Sequence, residues 1–283
     1  MTSSEQNSAE DGSLWTRLYH IKHNDPNLNE STWFTVQPCK RYRLFGQAIL
    51  ITQPSSTFWV YLLGILTTVL GCYLLVDHEG QISRGLWGVS LVFWGIGGLL
   101  AGTSYQAFAY QLKCEGRPEV VWTSWWEVIY LLFQQVSMSV MLVAVAYSCL
   151  PAGGQKIAII LATLVSLNYS AMVFYGAFKP LKSLITFELM VHICTPLVLF
   201  MLLLNTWRYW QYSTALDLAL IGNWLGLIVT MALYENYMSR GFSEKLWAKG
   251  YWFSENDVLH VALIAWVFYL SLVLEPLISD IAV

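Results

Sequence analysis

Long apolar runs broken by short polar joints fill the chain beyond its first fifty or so residues. The runs do not alternate apolar with polar at a period of two, so they read as helices and not as half-buried strands. Seven of them approach or exceed the roughly 20 residues that cross about 30 Å of hydrocarbon. They predict spans over residues 57–76, 85–110, 120–147, 155–177, 184–204, 215–237 and 257–278. Backbone N–H and C=O groups left unpaired in lipid are costly, which favours helices over any open sheet. The fold class is therefore an all-α, integral-membrane, seven-helix bundle. Residues 1–45 form a polar N-terminal tail and residues 46–283 the membrane domain. The first twelve residues are acidic and rich in Ser, Glu and Asn, a composition of disorder. Residues 44–51 are apolar but too short to span, and are expected at the membrane surface or beneath the bundle. No basic-then-apolar leader opens the chain, so the first span is expected to direct insertion.

Positive charge adds a direction. Arg17, Lys22, Lys40, Arg41, Arg43, Lys113, Arg117, Lys179, Lys182, Arg240, Lys245 and Lys249 lie in the tail or in the second, fourth and sixth loops. The other loops and the C-terminus hold only Arg84, Lys156 and Arg208. Cytoplasmic loops retain Lys and Arg, so the N-terminus is expected in the cytoplasm and the C-terminus outside. Composition agrees with the class: 12% of residues are charged, against about 25% in soluble domains. A net charge of −3 and the lack of a large basic cluster argue against a nucleic-acid partner. The five cysteines, Cys39, Cys72, Cys114, Cys149 and Cys194, show no paired metal spacing and read as buried thiols. Trp122, Trp125, Trp126, Trp207, Trp210, Trp247 and Trp252 fall at span ends, as in an interfacial belt. Gly98 and Gly102, one turn apart in the second span, allow close helix approach and make that span central.

Ionisable groups inside the spans carry the functional information, because each costs about 2.5–3.5 kcal/mol in hydrocarbon even on the mild scale. They are Glu127, Glu188, His192, Asp217, Glu235, Asp257, His260 and Glu275. At about 1.5 Å per residue, Glu127, Glu188, His192 and His260 lie near the cytoplasmic helix ends. Ser104 and Gln106 share that depth, with Asn256 and Asp257 at the rim. Together they predict one polar, ligand-binding cavity in the cytoplasmic leaflet, lined by Ser104, Gln106, Glu127, Glu188, His192, Asn256, Asp257 and His260. Glu188 and His192 are four apart, and Asp257 and His260 three apart, so each pair shares a helix face. A carboxylate can orient its imidazole in such a pair. His192, His260 and Glu188 are the candidates for a two-histidine, one-acid metal site. The competing reading is structural: Asn256 and Asp257 cap the seventh helix, and Glu188–His192 is a packing pair. Ser104 is the one candidate for a catalytic nucleophile, and no residue is assigned to catalysis. No phosphate loop, nucleophile elbow or paired-cysteine zinc signature is present.

At three of these places the chain resembles a known group. The segment from Asn256 to His260 is similar to the start of helix 7 in the CREST superfamily, which includes alkaline ceramidases and progestin and adipoQ receptors. Residues 51–56, Ile-Thr-Gln-Pro-Ser-Ser, and 104–108, Ser-Tyr-Gln-Ala-Phe, resemble the approach to helix 1 and the end of helix 2 in a mainly bacterial seven-helix family related to it. The resemblance covers the membrane part and implies a bacterial cytoplasmic membrane. It also implies zinc as cofactor, held in the hydrolases by three histidines near the cytoplasmic side and activating water. Residue by residue, Ser104 falls near the expected serine. Gln106 and Asn256 fall where two histidines are expected, and His260 takes the third position. Two imidazoles are thus replaced by amides, which are poor zinc ligands. The first functional reading is a binding or sensor scaffold for a lipid or small molecule, with membrane lipid as its partner. The second is a metal-dependent lipid amide or ester hydrolase. A transporter or proton pathway ranks third, since the outer half is nearly bare of polar groups.

Overall fold

A computed structural model describes residues 13–44 and 46–281; the acidic stretch 1–12 lies outside them. After a 3-10 turn, Leu14–His20, come a short helix α1 (Trp33–Val36) and an antiparallel hairpin of β1 (Cys39–Leu44) and β2 (Gln47–Thr52). Then follow α2 (Pro54–Val76), α3 (Ile82–Ala101), α4 (Ala109–Lys113), α5 (Trp125–Cys149) and α6 (Ala152–Phe178). The chain ends with α7 (Phe187–Tyr212), α8 (Ala215–Ser239), α9 (Phe242–Trp247) and α10 (Glu255–Tyr269). Among the described residues seven helices are long and apolar enough to cross a membrane: α2, α3, α5, α6, α7, α8 and α10, the last together with the π and 3-10 turns that carry it on to Leu277. The molecule is a multi-pass membrane protein. The apolar segment at 44–51 supplies the second strand of the hairpin.

The spans start and stop for local reasons. Pro54 opens α2 at its first turn, where its missing N–H costs nothing. The helix predicted from residue 120 begins at Trp125, because the backbone before it is engaged elsewhere. Val121 N–H donates to the Lys113 carbonyl (3.0 Å), Trp122 N–H to the Ile21 carbonyl (2.8 Å) and His23 N–H to the Val120 carbonyl (2.9 Å). The tail is thereby stitched onto the bundle. Ser254 and Asp257 form a reciprocal capping box at the start of α10.

Six spans close into a ring in the order α2, α3, α5, α7, α8, α10 and back to α2, while α6 packs outside on α5. The tightest seam joins α2 to α3. A Cβ placed on Gly95 would lie 2.6 Å from the Gly64 carbonyl oxygen, and one on Gly71 2.7 Å from the Val92 nitrogen. These glycines let the two backbones touch. Of the pair singled out by sequence, Gly102 takes part in this seam, since a Cβ on it would lie 2.4 Å from Val60 Cγ1, whereas one on Gly98 would meet nothing nearer than 3.8 Å. Of the cysteines, Cys114, Cys149 and Cys194 are buried, Cys39 is half-buried, and Cys72 is exposed on α2 against the expectation of burial. Cys72 lies on the lipid-facing side, where a thiol is apolar enough to sit.

Candidate functional site

The end of the bundle that carries the basic loops holds two buried polar clusters. In the first, Glu127 is the hub. Its Oε1 accepts from Lys113 Nζ (2.8 Å) and Ser104 Oγ (2.7 Å), and its Oε2 from Thr123 Oγ1 (2.8 Å). Ser104 and Ser124 hydroxyls also lie 2.6 Å apart. Lys113 Nζ rests 5.0 Å from the Tyr105 ring centre. A π-helical turn at Gly102–Ala107, continuing α3, carries Ser104, Tyr105 and Gln106, and such turns re-aim side chains at helix ends. In the second cluster, Asp257 Oδ2 accepts from Ser56 Oγ (2.9 Å), Ser254 Oγ (2.9 Å) and the Ser254 N–H (2.6 Å). It ties α10 to the first turn of α2. Glu127 is therefore satisfied at both oxygens by donors of its own chain, whereas Asp257 Oδ1 is buried without a partner.

The eight residues expected to share a cavity do not. Ser104 and Glu127 are sealed in the first cluster, and Asp257 in the second. Gln106 is buried with its Oε1 unpartnered, and Asn256 is half-buried beside the cap. Glu188 and His192 share a face of α7, as their spacing demands, but that face is exposed. His192 Nδ1 lies 2.6 Å from the Glu188 backbone carbonyl and has no bond to its carboxylate. No hydrogen bond joins Asp257 to His260 either, since Asp257 turns to Ser56 and Ser254. His260 alone of the eight lines the cavity at the centre of the helices.

That cavity has a volume of about 290 Å³ and sits inside the six-helix ring. All six ring helices contribute: Val60 and Leu63 from α2, Trp94 and Gly98 from α3, Gln134 and Met138 from α5, Cys194 and Leu199 from α7, Ile228 and Met231 from α8, and His260 and Leu263 from α10. Its walls are mainly apolar. The polar exceptions include His260, Gln134, Thr195 and Thr230. His260 Nδ1 is buried without a hydrogen-bond partner, and Gln134 Nε2 donates to the Trp94 carbonyl (3.1 Å). Thr195, Leu199 and Ile228 line the cavity and are also exposed on the outer surface. An opening toward lipid therefore lies between α7 and α8.

No family model, curated protein or solved structure matches this chain.

Zinc does not fit the residues present. Among the described residues no three His, Cys, Asp or Glu side chains gather as a metal site. The expected trio fails because His192 and Glu188 point away from the ring and Asp257 is spent on the α10 cap. Several of the residues that matter escaped the sequence. Lys113 reaches Glu127 across a loop, with no local spacing to betray it. Ser254 stands three residues before Asp257, which is the capping-box spacing. Tyr130 and Gln134 follow Glu127 on one helical face, a periodicity that leads into the cavity.

Proposed function

We propose that this membrane protein is a binding or sensor scaffold that holds an apolar, lipid-like ligand at the centre of the six-helix ring. The observation that carries the reading is the cavity's make-up: apolar walls from six helices around a few polar atoms. Small-molecule sites have this composition, and at about 290 Å³ the cavity lies near the lower edge of their usual range of roughly 300–1,000 Å³. An acyl chain or similar apolar body enters between α7 and α8, past Thr195, Leu199 and Ile228. Its polar end meets His260 and Gln134. A ligand arriving from lipid gains no hydrophobic transfer energy, so its apolar part is held by close packing against the walls, while an unsatisfied imidazole nitrogen gains a partner. Glu127 and Asp257 hold helices together and do not touch the ligand. The CREST-like resemblance is kept as a proposal for the scaffold only. The basic end is assigned to the cytoplasm on charge alone.

The test is lipid mass spectrometry on organic extracts of purified protein, compared with Leu263→Trp. The larger ring is expected to fill the cavity while leaving the thermal transition in place. The wild type should retain a species enriched over the bulk membrane extract, and Leu263→Trp should lose it. Equal retention by both proteins, or no enriched species in either, would sink the reading.

A further inference from the structure

We propose that the β1–β2 hairpin, together with the segment around α9, is a docking surface for anionic phospholipid headgroups. The hairpin stands at the membrane face: Gln53 alone separates β2 from α2. Lys40 pairs across the ladder with Ile51, and Arg41 with Leu50. At about 3.4 Å per strand residue, their partners Ile51 and Leu50 lie at most roughly 10–14 Å from the start of α2, which is about one Debye length. Lys40, Arg41 and Arg43 are all exposed. Among the described residues none of the three has a carboxylate partner. The stem of Lys40 runs beside the exposed Tyr42, with Nζ 5.7 Å from the ring centre.

A second basic segment is fastened alongside. Trp247 Nε1, at the end of α9, donates to the Thr35 carbonyl (3.0 Å) just ahead of the hairpin. That bond brings the stretch bearing Lys245 and Lys249 next to the hairpin; Glu244 is the acidic residue in the same stretch. Exposed Phe34 and Tyr251 interleave with these cations. Cations alternating with aromatic rings suit the interface between headgroups and acyl chains, where the rings sink and the charges stay wet. Juxtamembrane basic clusters of this kind bind anionic lipid. The charge count is too small for nucleic acid. This surface lies outside the ring and is independent of the cavity.

The experiment is native mass spectrometry of full-length protein in detergent with equimolar phosphatidylglycerol and phosphatidylcholine. Wild type should retain phosphatidylglycerol preferentially. Lys40→Glu/Arg41→Glu/Arg43→Glu should weaken that preference about tenfold or more. The neutral Lys40→Gln/Arg41→Gln/Arg43→Gln should lose an intermediate amount, and Lys156→Glu, at the opposite end, none. All these side chains are exposed, so folding is checked by an unchanged thermal transition. Equal phosphatidylglycerol preference in wild type and the triple Glu variant overturns the proposal. So does an equal loss in Lys156→Glu, which would mark a general charge effect.

Discussion

Glu127 is 2% exposed and Lys113 9% exposed at their side chains, so the pair is desolvated. Two hydroxyls complete the shell around the carboxylate. Such a pair contributes little net stability, but breaking it strands a buried charge at a cost of about 3–5 kcal/mol. The sequence marked Glu127 correctly as a costly intramembrane acid. It could not say that a lysine fourteen residues earlier and not a ligand would answer it. His23 stands over the same cluster. Burial lowers its pKa below the usual value, and the charges of Lys113 and then Lys182 lower it further, against smaller opposing effects of Asp25 and Glu127. Its Nδ1 accepts the Asp25 N–H (3.1 Å), which requires the neutral ring. The folded pKa is thus below the unfolded value of about 6.5. Unfolded chains bind the extra proton first, so stability is full above that value and falls as pH drops through it. Limited proteolysis of residues 13–33 should therefore accelerate between pH 7.5 and pH 5.5. His23→Gln, which keeps an acceptor and cannot titrate, should remove most of that dependence. A pH response identical in both proteins would show that the tail is released by something else.

At the scale of elements, the spans were legible because apolar length is a strong signal. Their ends were less so, because tertiary hydrogen bonds decide them. Residues 120–124 are apolar enough to extend α5, yet their backbone is taken by residues 21–23 and Lys113. Small residues in α3 were also legible as a contact face, but which glycine bears the contact depended on the partner's position. The structure places Gly95 against Gly64 and Thr68 of α2, with a Cβ at Gly95 falling 2.2 Å from Thr68 Oγ1. Gly98 has room for a methyl group. Gly95→Ala is therefore expected to cost about 1–3 kcal/mol through overpacking. Gly98→Ala should be neutral or slightly stabilising, since alanine loses less backbone entropy in a helix. Thermal unfolding of both variants in one detergent checks this. Equal transition temperatures would mean that the α2–α3 seam is looser than drawn.

At the scale of the whole molecule, the candidate site was half legible. The polar residues do lie at one end, but depth is a single coordinate. It cannot distinguish a side chain facing the ring centre from one facing a neighbour or lipid, and so Glu188 and His192 were grouped with residues they never meet. The charge asymmetry, by contrast, becomes sharper in three dimensions. At the opposite end Arg84 is paired with Asp77 and Glu275, and Arg208 with the buried Asp217. Among the described residues, Lys156 is the one basic side chain there without a carboxylate partner, while Lys40, Arg41, Arg43, Lys245 and Lys249 all stand unpaired at the basic end. Lys and Arg count toward orientation whether or not a carboxylate answers them, so the assignment of the basic end to the cytoplasm rests on their division between the two ends, 12 against 3, and not on this pairing. Two positions test it. Ser239, exposed at the basic end of α8, and Gly153, exposed at the opposite end with open space around it, each accept a cysteine in a background lacking the native thiols. A membrane-impermeant maleimide added to intact bacterial cells expressing the protein should label Gly153→Cys at once and Ser239→Cys only after lysis. The reverse pattern would invert the protein in the membrane. It would also place the cavity toward the other face of the membrane and, on the proposed reading, change which leaflet supplies the ligand.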